Sequence, residues 1–124
     1  MEKEEIKKRL QDYTVRIVKL QDELPDNKQN QLFMKYLIGS VAVIGAKFMA
    51  ATNSKSSTDF INKAKVAEEK ANECLYYLEI IKQLNPDHTA PIERLSEEAK
   101  DLMKTIEESY RSLTKKQIGF GLNK

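Results

Sequence analysis

The chain has no tryptophan, one cysteine, one histidine, three prolines and four glycines. Each shortage closes a class. A lone cysteine forms no intrachain disulfide, so the fold must rest on its core, and this usage fits a reducing cytoplasm. A lone histidine builds no metal cage, and the Glu-x-x-His pair that a di-iron bundle carries on two helices is missing. So little glycine and proline argues against an all-β fold with its many turns. Neither charge dominates: 21 basic residues face 19 acidic ones, for a net charge of +2. That balance gives no strong general attraction to nucleic acid or anionic membrane. The start, "MEKEEIKKRL", lacks the apolar stretch of a signal peptide. Only eleven uncharged residues lie between Lys35 and Lys47, against about twenty for a spanning helix. A buried helix and a cytoplasmic protein without membrane contact are therefore expected.

What the chain has is apolar periodicity. Ile6, Leu10, Tyr13, Ile17, Leu20 and Leu24 recur at steps of 4, 3, 4, 3 and 4, the heptad seam of a helix that packs on helices. Pro25 ends it. Asp26, with Gln29 three residues on, is the expected cap of the second helix. "TNSKSSTD" breaks the pattern, and Ser56 with Asp59 fits a capping box. Phe60, Ala64, Ala67, Ala71, Cys74, Leu78 and Ile81 continue at heptad spacing. In "NPDHTAP", Asn85 suits a left-handed cap and Pro91 the first turn of the next helix. Ile92, Leu95, Ala99, Leu102, Ile106, Ser109 and Leu113 form the last seam, widened by Met103 and Tyr110. The predicted helices cover about 2–24, 28–52, 57–84 and 91–115, with a flexible tail at 116–124. The predicted fold is all-α: a single-domain, antiparallel, up-down-up-down four-helix bundle over 1–124.

The second helix is the unusual one. "LIGSVAVIGAKFMAA", Leu37 to Ala51, carries one charge, Lys47. One stripe, Met34, Leu37, Val41, Ile44, Phe48 and Ala51, suits the core. A second stripe, Gly39, Ala42, Ala46 and Ala50, is small and apolar, leaving only a narrow line of Tyr36, Ser40 and Lys47 with Val43 between them. A surface helix normally shows a broad polar face, and a large exposed apolar patch marks an interface. Self-association through the small stripe is expected; tight packing within the same chain is the competing reading. On the third helix, Val66, Glu69, Glu73, Tyr76 and Ile80 recur at steps of 3, 4, 3 and 4. Val66, Tyr76 and Ile80 are candidates for a second subunit contact, against an ordinary outward face. Lys47 is expected to snorkel or to pair with Glu69 or Glu73.

Catalytic chemistry finds no foothold. His88 lies in a predicted surface loop, and Cys74 sits on a seam as a small hydrophobe. The carboxylate pairs, such as Glu97/Glu98 and Glu107/Glu108, stand among lysines on solvated helix faces. Gly119 and Gly121 occupy a tail, not a phosphate loop before a helix. No enzyme activity, cofactor, metal or small-molecule substrate is expected. The last fourteen residues carry Arg111, Lys115, Lys116 and Lys124 with no acid, and Phe120 adds an aromatic ring. Together with Arg16 and Lys19 on the first helix, Arg111, Lys115 and Lys116 are candidate nucleic-acid contacts, which a symmetric assembly would repeat. Solubility and placement at a helix C-terminus are the alternative.

The blocks "YTVRIVKL" (13–20), "IGAKF" (44–48), "SSTDF" (56–60) and "AEEKANECLYYLEII" (67–81) stand in the order and spacing of the bacterial four-helix bundle, or ribosomal RNA intervening-sequence, protein family. The sequence resembles that family over about residues 6–115. The resemblance implies a left-handed bundle and a ring-shaped homo-oligomer, a pentamer. It also implies a suggested nucleic-acid role, since genes of some members lie inside rRNA intervening sequences and related proteins assist reverse transcriptases. The family's frequent Arg-Ser-Gly-Thr-Ser-Ile-Gly-Ala-Asn run, with a Glu a few residues later, is altered. Gly39 replaces its Arg, Ala42 and Val43 its Thr-Ser, Lys47 its Asn and Ala50 that Glu, while Arg16, Asp59, Glu69 and Glu73 match. The resemblance therefore implies packing, with any site built on that polar set largely erased. The expected role is a non-enzymatic homo-oligomeric scaffold or adaptor; the alternative is an RNA-binding accessory protein.

Overall fold

The computed structural model describes the backbone of residues 2–122 and the side chains of residues 2–113. Among them are four α-helices and no strand: α1 (Lys3–Glu23), α2 (Lys28–Thr52), α3 (Ser57–Leu84) and α4 (Thr89–Leu122), with a single 3-10 turn at Pro86–His88. The ends follow local chemistry. Leu24 turns extended, as the residue before Pro25 must to clear its ring. Ser56 caps α3 by accepting the Asp59 N–H at 3.1 Å. Pro91 falls in the first turn of α4, where its missing N–H has no helical partner to lose.

Three local expectations are corrected. Asn27, not Asp26, caps α2: its side chain accepts the Asn30 N–H at 2.8 Å, while Asp26 accepts the Gln31 amide at 2.7 Å. Both residues are good caps, and the one-residue choice is set by how the chain leaves Pro25. Asn85 does not take a left-handed conformation; its φ is −134°. Its carboxamide turns inward instead and pairs reciprocally with that of Asn30, at 3.0 and 2.7 Å. Finally, α4 runs on to Leu122 rather than stopping near 115. Glycine costs a helix about 1 kcal/mol but does not forbid it, so Gly119 and Gly121 do not end α4. The expected flexible tail thus starts inside the helix, and its last two residues lie outside the described ones.

Each helix packs on its predecessor, and α4 returns to α1, enclosing one core. Ile6, Leu10, Tyr13 and Ile17 of α1 meet Met34, Leu37, Ile44 and Phe48 of α2, all essentially inaccessible to water. Each such side chain contributes about 1.5–3 kcal/mol by leaving water. Tyr13 donates its hydroxyl to the Leu95 carbonyl at 2.7 Å, which satisfies the polar tip of an otherwise apolar wedge. Asn30 also donates to the Pro25 carbonyl and Asn85 to that of Ile81, each at 2.8 Å. Among the described residues no buried side-chain polar atom lacks a partner. By length and composition α2 is also the one described helix apolar enough to cross a membrane, a test that core helices pass as well; here its inner stripe is part of the bundle core.

Candidate functional site

Once α2 has turned Met34, Leu37, Val41, Ile44, Phe48 and Ala51 inward, helical geometry sends Gly39, Ala42 and Ala46 outward. These three are exposed, and Ala50 is half-buried. A methyl group placed on Gly39 or Gly45 would meet nothing within 4 Å. The small stripe is therefore not used for close packing inside the chain. Met49, 44% exposed, extends the same face.

Two features flank it. On the α1 side, Thr14 and Val15 face Gly45, Ala46 and Met49 across an apolar groove of about 430 Å³, with Lys7 and Gln11 at its rim. Val15 and Val18 stand 50% and 42% exposed on α1. On the α3 side, four aromatic rings form a chain. Phe33 meets Tyr36 edge-on at 5.9 Å, Tyr36 meets Tyr77 at 5.8 Å, and Tyr77 meets Tyr76 edge-on at 5.9 Å. Tyr76 is 63% exposed; Ile80, one turn on, and Val66, about 15 Å back along the helix, are half-buried. Between these features lies a small polar set. Ser40 donates to Glu73 at 3.2 Å, and Lys70 binds the same carboxylate at 3.1 Å. Glu73 is thus already engaged, and Lys47 stays exposed with no ion pair among the described residues.

Burial shifts several ionisable groups of the bundle away from their charged forms. Burial, chiefly, pushes the Cys74 thiol up to about 12, far from the thiolate a nucleophile needs. Burial likewise raises Tyr13. Tyr110 is pushed up to about 12, by burial first and then by its 2.8 Å hydrogen bond to Glu68. His88 is half-buried at the end of the 3-10 turn. No group of three or more His, Cys, Asp or Glu among the described residues is arranged to hold a metal. A cleft of about 980 Å³, formed by α3 and α4 with Arg9 of α1, is lined by mixed charges. Several of them pair with each other, as Lys82 does with Glu79 at 2.9 Å and with Glu93 at 3.7 Å.

Among the described residues the candidate nucleic-acid contacts fall at two places, Arg16 and Lys19 in one cleft and Arg111 far along α4. Arg16 binds Glu98 through both guanidinium nitrogens, and that bond holds its pKa above the usual value. Arg111 is taken by Glu107 on its own helix. Lys19 is exposed and shares a cleft with Arg16, Arg94 and two glutamates, Glu23 and Glu98. Arg111 stands thirteen residues along α4 from Glu98, about 20 Å away at the helical rise. The side chains of Lys115 and Lys116 lie outside the described residues. Sequence reasoning did not single out Val15, Val18, Gly45, Met49, Phe33 or Tyr77. The valines carried a legible signal, as apolar residues three apart and off the α1 seam; which helix flanks α2 on each side carried none.

A family model described as 23S rRNA-intervening sequence protein matches residues 2–108. A crystal structure of a protein of unknown function from the S23 ribosomal protein family, from Bacteroides thetaiotaomicron VPI-5482, is similar with a TM-score of 0.81 and 26% identity. The match covers 90% of this chain and 99% of that one. No curated protein matches.

Proposed function

The chain belongs to the 23S rRNA-intervening sequence protein family, and on that premise we propose that it is a non-enzymatic cytoplasmic scaffold or adaptor that works as a homo-oligomeric ring, a pentamer. The observation that carries this reading is the outward face of α2. Gly39, Ala42, Ala46 and Met49 form an apolar strip that the chain leaves in water. Contiguous apolar surface of this kind is normally covered by a partner, and a second copy is always at hand.

The protomer in this reading is an antiparallel, up-down-up-down, left-handed bundle. The direction is supported by contacts that run oppositely along neighbours: Asn30 with Asn85 and Ser40 with Glu73 between α2 and α3, and Lys82 with Glu93 and Glu68 with Tyr110 between α3 and α4. Short loops join such neighbours.

Light scattering tests the proposal. The expected mass is a multiple of the 14.3 kDa chain, five-fold for the pentamer; 14.3 kDa at every concentration overturns the reading. Ala46→Glu places a charge in the strip and is expected to shift the mass downward with helicity unchanged. The alternative is an RNA-binding accessory protein. It draws on the cleft where Arg16, Lys19 and Arg94 meet, and it requires RNA retention that falls steeply with salt. Retention at low salt that is lost with Lys19→Glu would favour it.

A further inference from the structure

Resting on the self-association reading, we infer that copies join head to tail, the outward stripe of α1 on one copy meeting the outward stripe of α3 on the next in parallel. The α1 stripe reads Glu4, Lys8, Gln11, Val15, Lys19 and Asp22, all exposed. The α3 stripe reads Lys65, Glu69, Asn72, Tyr76, Ile80 and Gln83, all exposed except half-buried Ile80. Both follow the same steps of 4, 3, 4, 4 and 3, so each member pairs with its mate at one sequence difference, 61.

At that register the chemistry matches. Lys65 falls opposite Glu4 and Glu69 opposite Lys8, so both charged pairs are of opposite sign. Asn72 falls opposite Gln11, two amides. Tyr76 falls opposite Val15, and Ile80 beside Val18 and the alkyl stem of Lys19. Neither Lys8 nor Glu69 has an ion pair within the chain among the described residues. Val15 and Gln11 line the apolar groove, so the Tyr76 ring enters it and covers Gly45, Ala46 and Met49 from the side. The groove's volume of about 430 Å³ holds such a ring, and aromatic side chains are typical anchors at interface centres.

Direction follows from symmetry. In the antiparallel bundle α1 and α3 run the same way, and copies rotated about an axis along the bundle keep that direction. Because the two stripes differ, the contact is heterologous, which excludes a two-fold dimer and gives a ring where the rotation closes. Shifting the register by one heptad would set Glu69 against Val15, or Lys8 against Tyr76, and in either direction leave Lys8 without its acidic mate.

The experiment mixes single-face variants. Val15→Glu spoils only the α1 stripe and Tyr76→Glu only the α3 stripe. Each alone is expected to lose the assembled species while keeping wild-type helicity, since both positions are exposed. Mixed, they retain one good joint and yield a species of two chains, double 14.3 kDa. Lys8→Glu and Glu69→Lys each weaken assembly, and the chain carrying both regains it. If the wild type assembles but the mixture stays single-chain, or Tyr76→Glu leaves the mass unchanged, the inference fails. A wild type of single-chain mass instead removes the self-association reading on which it rests.

Discussion

At the scale of single residues, the buried side-chain polar atoms among the described residues all have hydrogen-bond partners. Asn30 and Asn85 illustrate the cost of breaking such a pair. Asn30→Leu leaves the buried Asn85 carboxamide with fewer partners, and an orphaned buried group costs about 1–3 kcal/mol. Urea denaturation is expected to show a lower midpoint, and adding Asn85→Leu to recover part of the loss, because both polar groups are then gone. Glycine offers the opposite case. Gly39 is helical and exposed, and a methyl there touches nothing in the chain. Gly39→Ala is therefore expected to stabilise the isolated chain, by up to about 1 kcal/mol from helix propensity, read as a higher midpoint at concentrations where the protein is single-chain. The buried thiol sets a pH limit. The folded pKa of Cys74 is raised from 9.0 to about 12, so its contribution is intact below about pH 9 and is lost as pH rises towards 12. Tyr110, raised in the same sense, adds to the fall. Melting temperature should hold up to pH 9 and drop beyond it, and Cys74→Ala should flatten the drop.

At the scale of helices, the seams were legible because heptad spacing leaves one face apolar and a helix must bury that face. Every predicted seam residue on α1, α2 and α3 is buried. On α4 the seam frays in burial at Ser109 and Leu113, both half-buried. The caps were less legible. Asp26 and Asn27 are chemically near-equivalent, and the choice between them depends on a loop geometry that no pattern encodes. Asn85 reads as a cap by type, yet its side chain serves a contact with a residue 55 positions away. The inner stripe of α2 also carries much of the stability. Leu37→Ala or Ile44→Ala, at sites with essentially no exposure, should each cost about 2–5 kcal/mol, measured as a drop in the denaturant midpoint without a change in helical content at zero denaturant.

At the scale of the whole molecule, the candidate site is a face rather than a pocket of reactive groups. α2 lies between an apolar groove shared with α1 and an aromatic chain shared with α3. Of the expected nucleic-acid contacts, Arg16 and Arg111 are each bound to a glutamate and lie far apart along the bundle, while the side chains of Lys115 and Lys116 lie outside the described residues. Truncation after Leu113 is expected to leave the assembled mass unchanged, because among the described residues both flanking features are built from α1, α2 and α3 alone; a fall to single-chain mass would move the interface to the tail.

The amino-acid sequence by itself determined that the chain is four amphipathic helices, where their inner faces lie, and that α2 has one apolar face too many. Periodicity is a local property, and burial of a seam follows from it directly. Only the tertiary structure decided which of the two α2 stripes is covered, what flanks the open one, and which charges are already spent on each other. Those outcomes depend on which helices become neighbours, and that is set by packing of the whole chain rather than by any segment's own pattern.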